Sequence, residues 1–279
     1  MGLPSLSRVS LLVSSLLFVI LHFSQNVASY PTGEAHTLLK WKATLQNHNT
    51  SLMLSWTLYP VNSTNNSAHH KTKTSLCLWS GISCNNAGSV IGVNLTNLSL
   101  RGTLEEFSFS LFPQLSYLNL SSNELFGTSP PQISNLSKLK YLDLSTNKLF
   151  GNIPPEIDLL INLEVLYLCR NELNGLILKE IGQLHSLSTL DLSENQLSGF
   201  IPSSIGNLSN LEVLYLYRNN LSGSIPIKIG KLISLTDLRL CYNHFTGSIP
   251  LSIGSMHYLK VMYLNNNNLF GSIPTEIES

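Results

Sequence analysis

The chain has 279 residues, of which 43% are hydrophobic and 11% charged, and its 16 basic and 16 acidic side chains balance to a net charge of zero. Binding to the phosphates of a nucleic acid needs a basic excess that releases counterions. The composition therefore gives no support for a nucleic-acid partner, and we set that class of function aside.

The N-terminal segment from Met1 to Ser29 has the pattern of a secretory signal peptide. One basic residue, Arg8, precedes an apolar run from about Val9 to Phe23, and small residues ending at Ser29 follow. The alternative is an uncleaved membrane anchor, but this run is shorter than the roughly 20 residues that span a bilayer. No later stretch approaches that length. We therefore predict no transmembrane segment, a mature chain from near Tyr30, and a secretory-pathway protein in the extracellular space or at the plasma-membrane surface.

Sequons of the form Asn-x-Ser/Thr agree with passage through a glycosylating compartment. The predicted glycosylation sites are Asn49, Asn62, Asn65, Asn94, Asn97, Asn119, Asn135, Asn207 and Asn220. A single sequon is a weak signal because Asn, Ser and Thr are abundant in this chain. The group gains weight from the signal peptide that precedes it.

Four cysteines occur, at Cys77, Cys84, Cys169 and Cys241. The first two bracket the stretch CLWSGISC, and a disulfide closing this loop is worth roughly 2.5 kcal/mol in the chain-entropy model. The alternatives are two free thiols or half of a zinc site, which would need two more ligands at short spacing. No Cys or His pair supplies them. We predict a disulfide between Cys77 and Cys84, and no bound metal.

An internal repeat dominates the rest of the chain. The pattern Asn-x-Leu/Phe-x-Gly returns at a constant period of 24 positions, with its asparagines at Asn123, Asn147, Asn171, Asn195, Asn219, Asn243 and Asn267. A degenerate unit precedes them, one position longer and with Leu98 in the asparagine position, and the last unit stops short of its full length.

The unit LEVLYLYRNNLSGSIPIKIGKLIS shows what each repeat can bury. Its leucines alternate with outward residues, which predicts a short strand. The amide of Asn219 can bond backbone groups where the chain turns inward, Gly223 permits a tight turn, and Pro226 keeps its segment out of a central ladder. One unit cannot bury its apolar edge alone. The predicted fold is α/β: a right-handed leucine-rich-repeat solenoid of about eight 24-residue coils, with a parallel sheet on the concave face.

Two motifs carry a resemblance to a known family. The pattern LxxLxLxxNxLxGxIPxxIGxL resembles the plant-specific class of leucine-rich repeat, and EAHTLLKWKATLQ, followed by SW and CLWSGISC, is similar to the N-terminal capping domain of that class. From about residue 34 to 279 the order of motifs resembles the ectodomains of plant leucine-rich-repeat receptor-like kinases and receptor-like proteins. The resemblance implies a secreted or single-pass surface receptor that binds a ligand on its concave or lateral face.

The resemblance stops at the ectodomain. No second cysteine pair follows the last repeat, and neither a juxtamembrane run nor a kinase motif such as HRD is found. We interpret the chain as a truncated receptor, a fragment or a short secreted protein. The expected domains are a signal peptide over residues 1–29, a capping domain over 30–92, and repeats over 93–279 without a C-terminal cap.

The capping domain also follows from the residues themselves. An apolar stripe at helical spacing predicts a helix that covers the first coil, with inward positions Ala35, Leu38, Leu39, Lys42, Ala43 and Leu45. We interpret Trp56 and Trp79 as core residues rather than a carbohydrate site.

The side chains that point outward from the strands are the candidates for binding, because Tyr and Arg are frequent interface anchors. The predicted ligand-binding residues are Tyr167, Arg170, Tyr215, Tyr217, Arg218, Asp237, Arg239, Tyr242 and Tyr263. Two alternatives remain. Three of the tyrosines, Tyr167, Tyr215 and Tyr263, recur in every second repeat, so duplication of a two-repeat unit could have copied them without a binding role. The arginines could also pair within the chain, with partners among Glu164, Asp191, Glu194 and Asp237.

The two remaining cysteines, Cys169 and Cys241, share one outward position three coils apart. At about 4.8 Å per strand they lie roughly 14 Å from each other, beyond disulfide reach. We expect two free thiols.

The predicted function is recognition of a peptide or protein ligand in plant cell-surface signalling, in development or defence, with a co-receptor ectodomain as a further candidate partner. The alternatives are a secreted inhibitor of a cell-wall-degrading enzyme, or a truncated receptor that acts as a decoy or co-receptor. An enzyme is not expected, because neither HExxH nor GxSxG occurs. We predict no catalytic residue and no cofactor.

Overall fold

A computed structural model describes residues 31–46, 53–58 and 75–277 of the chain. The predicted signal peptide and the sequons at Asn49, Asn62 and Asn65 lie outside the described residues. Among the described residues, no helix combines the length and the apolar character that a bilayer span requires.

One α-helix and a series of short strands make up the regular structure. The helix α1 spans Pro31–Thr44. The strands are β1 (Ile82–Cys84), β2 (Val90–Asn94), β3 (Arg101–Gly102), β4 (Tyr117–Asn119), β5 (Glu124–Thr128), β6 (Tyr141–Asp143), β7 (Lys148–Gly151), β8 (Val165–Tyr167), β9 (Glu172–Leu173), β10 (Thr189–Asp191), β11 (Ser198–Gly199), β12 (Val213–Tyr215), β13 (Asn220–Ser224), β14 (Asp237–Arg239), β15 (His244–Gly247), β16 (Val261–Tyr263) and β17 (Asn268–Leu269).

The main sheet contains the first strand of each coil, and its order is β1-β2-β4-β6-β8-β10-β12-β14-β16. All pairs are parallel except β1 with β2. Leu190 lies opposite Leu166 on one side and Leu214 on the other, and all three are fully buried. The inward leucines therefore stack into one continuous core, which confirms the predicted solenoid with a parallel sheet.

The repeated asparagines connect neighbouring coils as predicted. The Nδ2 of Asn219 donates to the carbonyl oxygens of Leu192 at 3.0 Å and Leu216 at 3.1 Å, and its Oδ1 accepts from the amide of Leu197 at 3.0 Å. Asn171 and Asn243 make the same set of bonds in their coils. Each asparagine thus satisfies buried peptide groups on two coils at once.

Two further sheets run beside the main one, and sequence reasoning missed them. They have the orders β3-β5-β7-β9 and β11-β13-β15-β17. The prediction of a tight turn at Gly223 was wrong, because this residue lies inside β13 with φ +72°. A Cβ there would lie 2.3 Å from a ring carbon of Phe200. The backbone conformation requires glycine, and an added Cβ would also displace the exposed ring of Phe200 on the preceding coil.

Short 3-10 helices form the outer side of the coils, and we call them the outer helices. They span Phe109–Leu111, Pro131–Asn135, Pro155–Leu159, Lys179–Gln183, Ser203–Asn207, Ile227–Lys231, Leu251–Ser255 and Thr275–Ile277. A proline precedes most of them in an extended conformation. One isoleucine in each complete repeat helix is buried, as in Ile229.

The capping domain closes the N-terminal edge of the main sheet. Leu38 and Trp41 on α1 are fully buried, and the Trp41 indole donates to the carbonyl oxygen of Thr103 at 2.9 Å. The rings of Trp56 and Trp79 stack with their centres 5.3 Å apart, and both side chains are buried, which confirms them as core residues. Ala43, predicted to face inward, is exposed instead.

The predicted disulfide is present, with Cys77 and Cys84 bonded through their sulfurs. It bridges β1 to the 3-10 helix Ser75–Leu78. β2 pairs with β1 on one side and β4 on the other, so the expected boundary between residues 92 and 93 lies inside this strand.

Candidate ligand-binding face

The nine predicted binding residues all lie along the main sheet or just after its strands, and eight of them form two groups. The first, the sheet cluster, consists of Tyr215, Asp237, Arg239 and Tyr263. The second, the edge cluster, consists of Arg170, Tyr217, Arg218 and Tyr242, together with Glu194. Tyr167 belongs to neither group. The centre of its ring lies 6.0 Å from the centre of the Tyr141 ring.

The sheet cluster is built around the guanidinium of Arg239. This group lies 4.5 Å from the ring centre of Tyr215 and 5.3 Å from that of Tyr263. Its Nε and Nη2 donate to the two carboxylate oxygens of Asp237 at 3.0 and 2.8 Å. Tyr215 donates from its hydroxyl to the same carboxylate at 2.7 Å. The arginine is therefore held between two rings and neutralised at one edge.

The protonation states of the sheet cluster are fixed by the same contacts. Burial, and then the hydrogen bond to Asp237, raises the pKa of Tyr215 to about 12. The hydrogen bond to Asp237 also raises the pKa of Arg239 above its ordinary value. At neutral pH Tyr215 is therefore a neutral phenol and Arg239 a guanidinium cation.

The edge cluster is organised by Glu194. Arg170 donates from Nε to Glu194 at 2.9 Å, Arg218 pairs with it at 3.8 Å, and the Tyr217 hydroxyl donates to it at 3.4 Å. The guanidinium of Arg218 also lies 5.4 Å from the ring centre of Tyr242. Both arginine side chains stay about three-fifths exposed, at 63% and 60%.

The residues just before the repeated asparagines share an unusual backbone. Arg170, Glu194, Arg218 and Tyr242 have φ between +53° and +57°. This left-handed conformation is uncommon for residues other than glycine. In each of these coils the next residue is the ladder asparagine, so the left-handed residue is a fixed element of the repeat.

The internal pairing that the sequence left open is what the structure contains. Arg170 and Arg218 pair with Glu194, and Arg239 pairs with Asp237. Glu164 pairs with Lys140 instead, at 2.7 Å. Surface pairs of this kind contribute little stability, so their main effect here is to hold the arginines in place.

Two aspartates of the main sheet are covered rather than open to a ligand. Asp143 and Asp191 are 8% exposed, and each accepts bonds from the amide and the hydroxyl of the serine two residues later. These carboxylates are therefore occupied within their own coils. An aspartate or asparagine followed by Leu-Ser is the sequence signal that could have shown this.

The two remaining cysteines are free, as predicted. Burial, and then the charge of Asp191, raises the pKa of Cys169 to about 12, so its thiol stays protonated at neutral pH. Cys241, interpreted as outward, is 8% exposed. The protonated thiol of Cys169 is a poor nucleophile.

An aromatic row near the N-terminal end of the sheet was not included among the predicted binding residues. The rings of Tyr117 and Tyr141 stack at 4.5 Å. Burial raises the pKa of Tyr141 above its ordinary value, and Asp143 adds to this shift. Residues one repeat period apart are neighbours across coils, which is the signal that could have identified the pair.

The described sequons differ in exposure. The asparagine side chains exposed on the surface are Asn94, Asn97, Asn135, Asn207 and Asn220. Asn119 is 9% exposed, and its Oδ1 accepts from the amide and hydroxyl of Ser121 at 3.0 and 2.7 Å. A glycan on Asn119 would be attached to the Nδ2, which donates to the Tyr117 hydroxyl at 3.3 Å, so the side chain would have to move out of this buried position.

Comparisons with known proteins agree with the geometry. A leucine-rich-repeat family model matches residues 186–245, and a second model of the same description matches 114–136, 138–160, 162–184 and 258–279. The chain is 47% identical over 121 residues to a probable leucine-rich repeat receptor-like protein kinase of Arabidopsis thaliana, which covers 43% of this chain and 10% of the relative. The chain thus spans about a tenth of the length of that relative.

Solved structures of plant receptor ectodomains have a similar fold over most of the chain. The crystal structure of PEPR1–AtPEP1 superimposes with a TM-score of 0.74 at 34% identity, covering 86% of this chain and 33% of that one. The Arabidopsis receptor kinase HAESA, in complex with the peptide hormone IDA and the co-receptor SERK1, gives a TM-score of 0.67 at 31% identity, covering 87% and 43%.

Proposed function

Because the chain belongs to the leucine-rich-repeat family and has the fold of plant receptor ectodomains of that family, we propose that it is an extracellular recognition module. It binds a linear peptide or an extended protein segment along the open face of the main sheet. The proposed centre of the site is the sheet cluster together with Tyr217, Arg218 and Tyr242.

One observation carries this proposal: Arg239 is held between Tyr215 and Tyr263 on an open sheet face. Rigid aromatic and arginine side chains are the usual anchors of protein interfaces. Binding costs less when the side chains are already ordered. The carboxylate of Asp237 provides that order, because it fixes both the guanidinium and the phenol.

The dimensions of the sheet suit an extended ligand. Eight parallel strands at about 4.8 Å give a face of about 34 Å across. An extended peptide of about ten residues, at roughly 3.3 Å each, has the same length. A folded partner could instead contact the lateral sheets.

The proposed setting is the cell surface or the extracellular space. The signal-peptide pattern, the sequons and the Cys77–Cys84 disulfide support it, because structural disulfides persist in oxidising compartments. The HAESA complex contains a co-receptor, and a co-receptor ectodomain is accordingly a second proposed partner.

The test uses a displayed library of linear peptides of about ten residues, selected on the full chain. Tyr217→Ala combined with Arg218→Ala should weaken the affinity of the selected peptides by about 2 kcal/mol, roughly 30-fold, with little change in melting temperature. Both side chains lie outside the buried core, so their loss should leave the fold intact.

The control removes one tyrosine and one cationic side chain elsewhere. Lys231 ends an outer helix, and Tyr258 is 67% exposed in the connection that follows the next one. Lys231→Ala combined with Tyr258→Ala should leave the affinity unchanged. Equal affinities in the two double variants would show that Tyr217 and Arg218 have no binding role.

A further inference from the structure

A groove of about 830 Å³ opens on the lateral side of the last coils, beside the sheet β11-β13-β15-β17. Small residues line it, among them Ser224, Ser248 and Gly271, and its apolar lining includes Leu251 and Phe270. None of its lining residues is charged. Leu251 and Phe270 are 66% and 70% exposed, so the groove offers a large apolar surface that the described coils leave uncovered.

One position of the repeat explains the groove. It is the residue that follows the lateral glycine, the glycine with positive φ in each coil. Large apolar side chains occupy it in two successive coils: Leu176 lies over Gly199, and the ring of Phe200 lies over Gly223. We call Leu176 and Phe200 the lateral ridge. The next three coils have serine at this position, and we call the space that these serines leave the lateral groove: Ser224, Ser248 and Ser272.

The lateral ridge and the lateral groove adjoin on one face, because Phe200 lies over Gly223 and Ser224 directly follows that glycine. An interface between two identical chains related by a two-fold axis must be self-complementary: when one residue contacts a second, the second contacts the first across the axis. A ridge and a groove of the same apolar character, side by side on one face, meet this condition. A two-fold axis that crosses the face between them places the ridge of each copy opposite the groove of the other.

We propose that this face is an interface with a second copy of the chain, in which the Phe200 ring of each copy enters the lateral groove of the other. The groove has room for this ring, because pockets of about 300–1,000 Å³ hold ligands larger than one phenyl group. The contact uses the lateral side alone. The main sheets of both copies stay open, so the peptide-binding test is independent of this proposal.

The exposed apolar area is sufficient for a specific contact. Phe200, Ile227, Leu251 and Phe270 expose between 66% and 76% of their surface, which amounts to about 500 Å² at roughly 150–250 Å² for a large side chain. A patch of this size is in the upper part of the range for monomeric proteins. Two such patches bury about 1,000 Å² in total, the size at which specific interfaces begin.

A second copy fits this face better than a charged partner does, since the groove lining has no charged side chain to pair with one. The predicted glycosylation site Asn220 does not block the contact. It is the first residue of β13, which ends at Ser224, so the two lie roughly 13 Å apart at about 3.3 Å per residue. A glycan there would flank the groove rather than fill it.

The experiment is sedimentation equilibrium of the full chain, secreted by a eukaryotic host. The native chain should be a reversible dimer at about 100 µM, a concentration suited to an interface at the small end of the size range. Phe200→Glu places a charge on the ridge, and Ser248→Arg places one in the groove. Each should raise the dimer dissociation constant at least about tenfold, because the charge would be buried in an apolar contact. Both positions are exposed, so the melting temperature of the monomer should be retained.

Two further variants test the pairing itself. Thr128→Arg adds the same charge at the corresponding position of an earlier coil, outside this face, and should leave the dissociation constant unchanged. Phe200→Glu combined with Ser248→Arg brings opposite charges together across the two-fold axis, so this double variant should dimerise more tightly than either single variant. A native chain that stays monomeric, which would leave the groove to a different partner, overturns the proposal. So does a dimer that neither single variant weakens, or a double variant no tighter than the single ones.

Discussion

The Tyr215 hydroxyl donates to the Oδ2 of Asp237, which belongs to the next coil, at 2.7 Å. The same carboxylate oxygen accepts from Nη2 of Arg239. One aspartate therefore sets the position of an aromatic ring and of a guanidinium. This makes Asp237 the residue on which the order of the sheet cluster depends.

Asp237→Asn should lower the pKa of Tyr215 from about 12 toward its ordinary value. Burial is the larger cause of the shift and persists, but the charge and the acceptor that stabilise the neutral phenol are lost. The measurement is tyrosinate absorbance in alkaline solution, as the difference between Asp237→Asn and the same variant with Tyr215→Phe. Asp158→Asn, on an outer helix, is the control, and an unchanged Tyr215 titration would contradict the assigned contact.

Gly223→Ala should destabilise the chain by about 2–3 kcal/mol, because it adds both backbone strain at φ +72° and a clash with Phe200. In a Phe200→Ala background the clash disappears, and only the strain, about 1 kcal/mol, should remain. Chemical denaturation of the native chain, the two single variants and the double variant gives the coupling free energy between Gly223→Ala and Phe200→Ala.

Gly247→Ala is the natural comparison for that cycle. Gly247 has φ +79°, but a Cβ added there would meet only Ser224, at an ordinary 3.5 Å. This variant should show the strain without the clash. If Gly223→Ala and Gly247→Ala cost the same, Phe200 does not press on the glycine as the structure indicates.

Asn219→Ala should cost about 3 kcal/mol, because it leaves buried peptide groups of two coils without partners. The amide of Leu197, which now donates to Asn219 at 3.0 Å, should exchange its hydrogen faster. Gln196→Ala, exposed and close to this amide, should change neither stability nor exchange by a measurable amount. Slow exchange at Leu197 in the Asn219 variant would mean that the ladder is not what protects it.

The solenoid itself could be predicted because the same sequence pattern recurs in every coil. Inward leucines, the ladder asparagine and a proline before most of the outer helices recur at a fixed spacing, and each has a direct physical role. The lateral sheets were missed because a segment such as NLSGS, which forms β13, contains residues typical of turns. Its strand character comes from pairing with neighbouring coils, which a single unit does not display.

The members of the sheet cluster and of the edge cluster could have been grouped from the sequence. Tyr215, Arg239 and Tyr263 follow one another at the repeat period, as do Arg170, Glu194 and Arg218. Parallel pairing in register places such residues side by side. What the sequence does not contain is rotamer choice, such as the turn of Arg239 back to Asp237 in its own strand rather than toward solvent.

Glu34 gives the chain a pH-dependent stability at the cap. Its carboxylate is 1% exposed on α1 and accepts from the amide of Val90 in β2 at 3.1 Å. Burial raises the pKa of this carboxyl to about 7, against the opposing effect of the Val90 bond. The folded state therefore holds a proton that the unfolded chain releases above about pH 4.5.

Because the folded pKa is the higher one, the stabilisation by protonated Glu34 is fully present below about pH 4.5 and is lost as the pH rises toward 7. Denaturation at the two ends of this window should differ by about 2–3 kcal/mol from this residue alone. Glu34→Gln, which stays neutral, should flatten the profile. Glu106→Gln, which removes an exposed partner of Lys40, should leave it unchanged, and a profile that keeps its slope in Glu34→Gln would assign the pH dependence to another group.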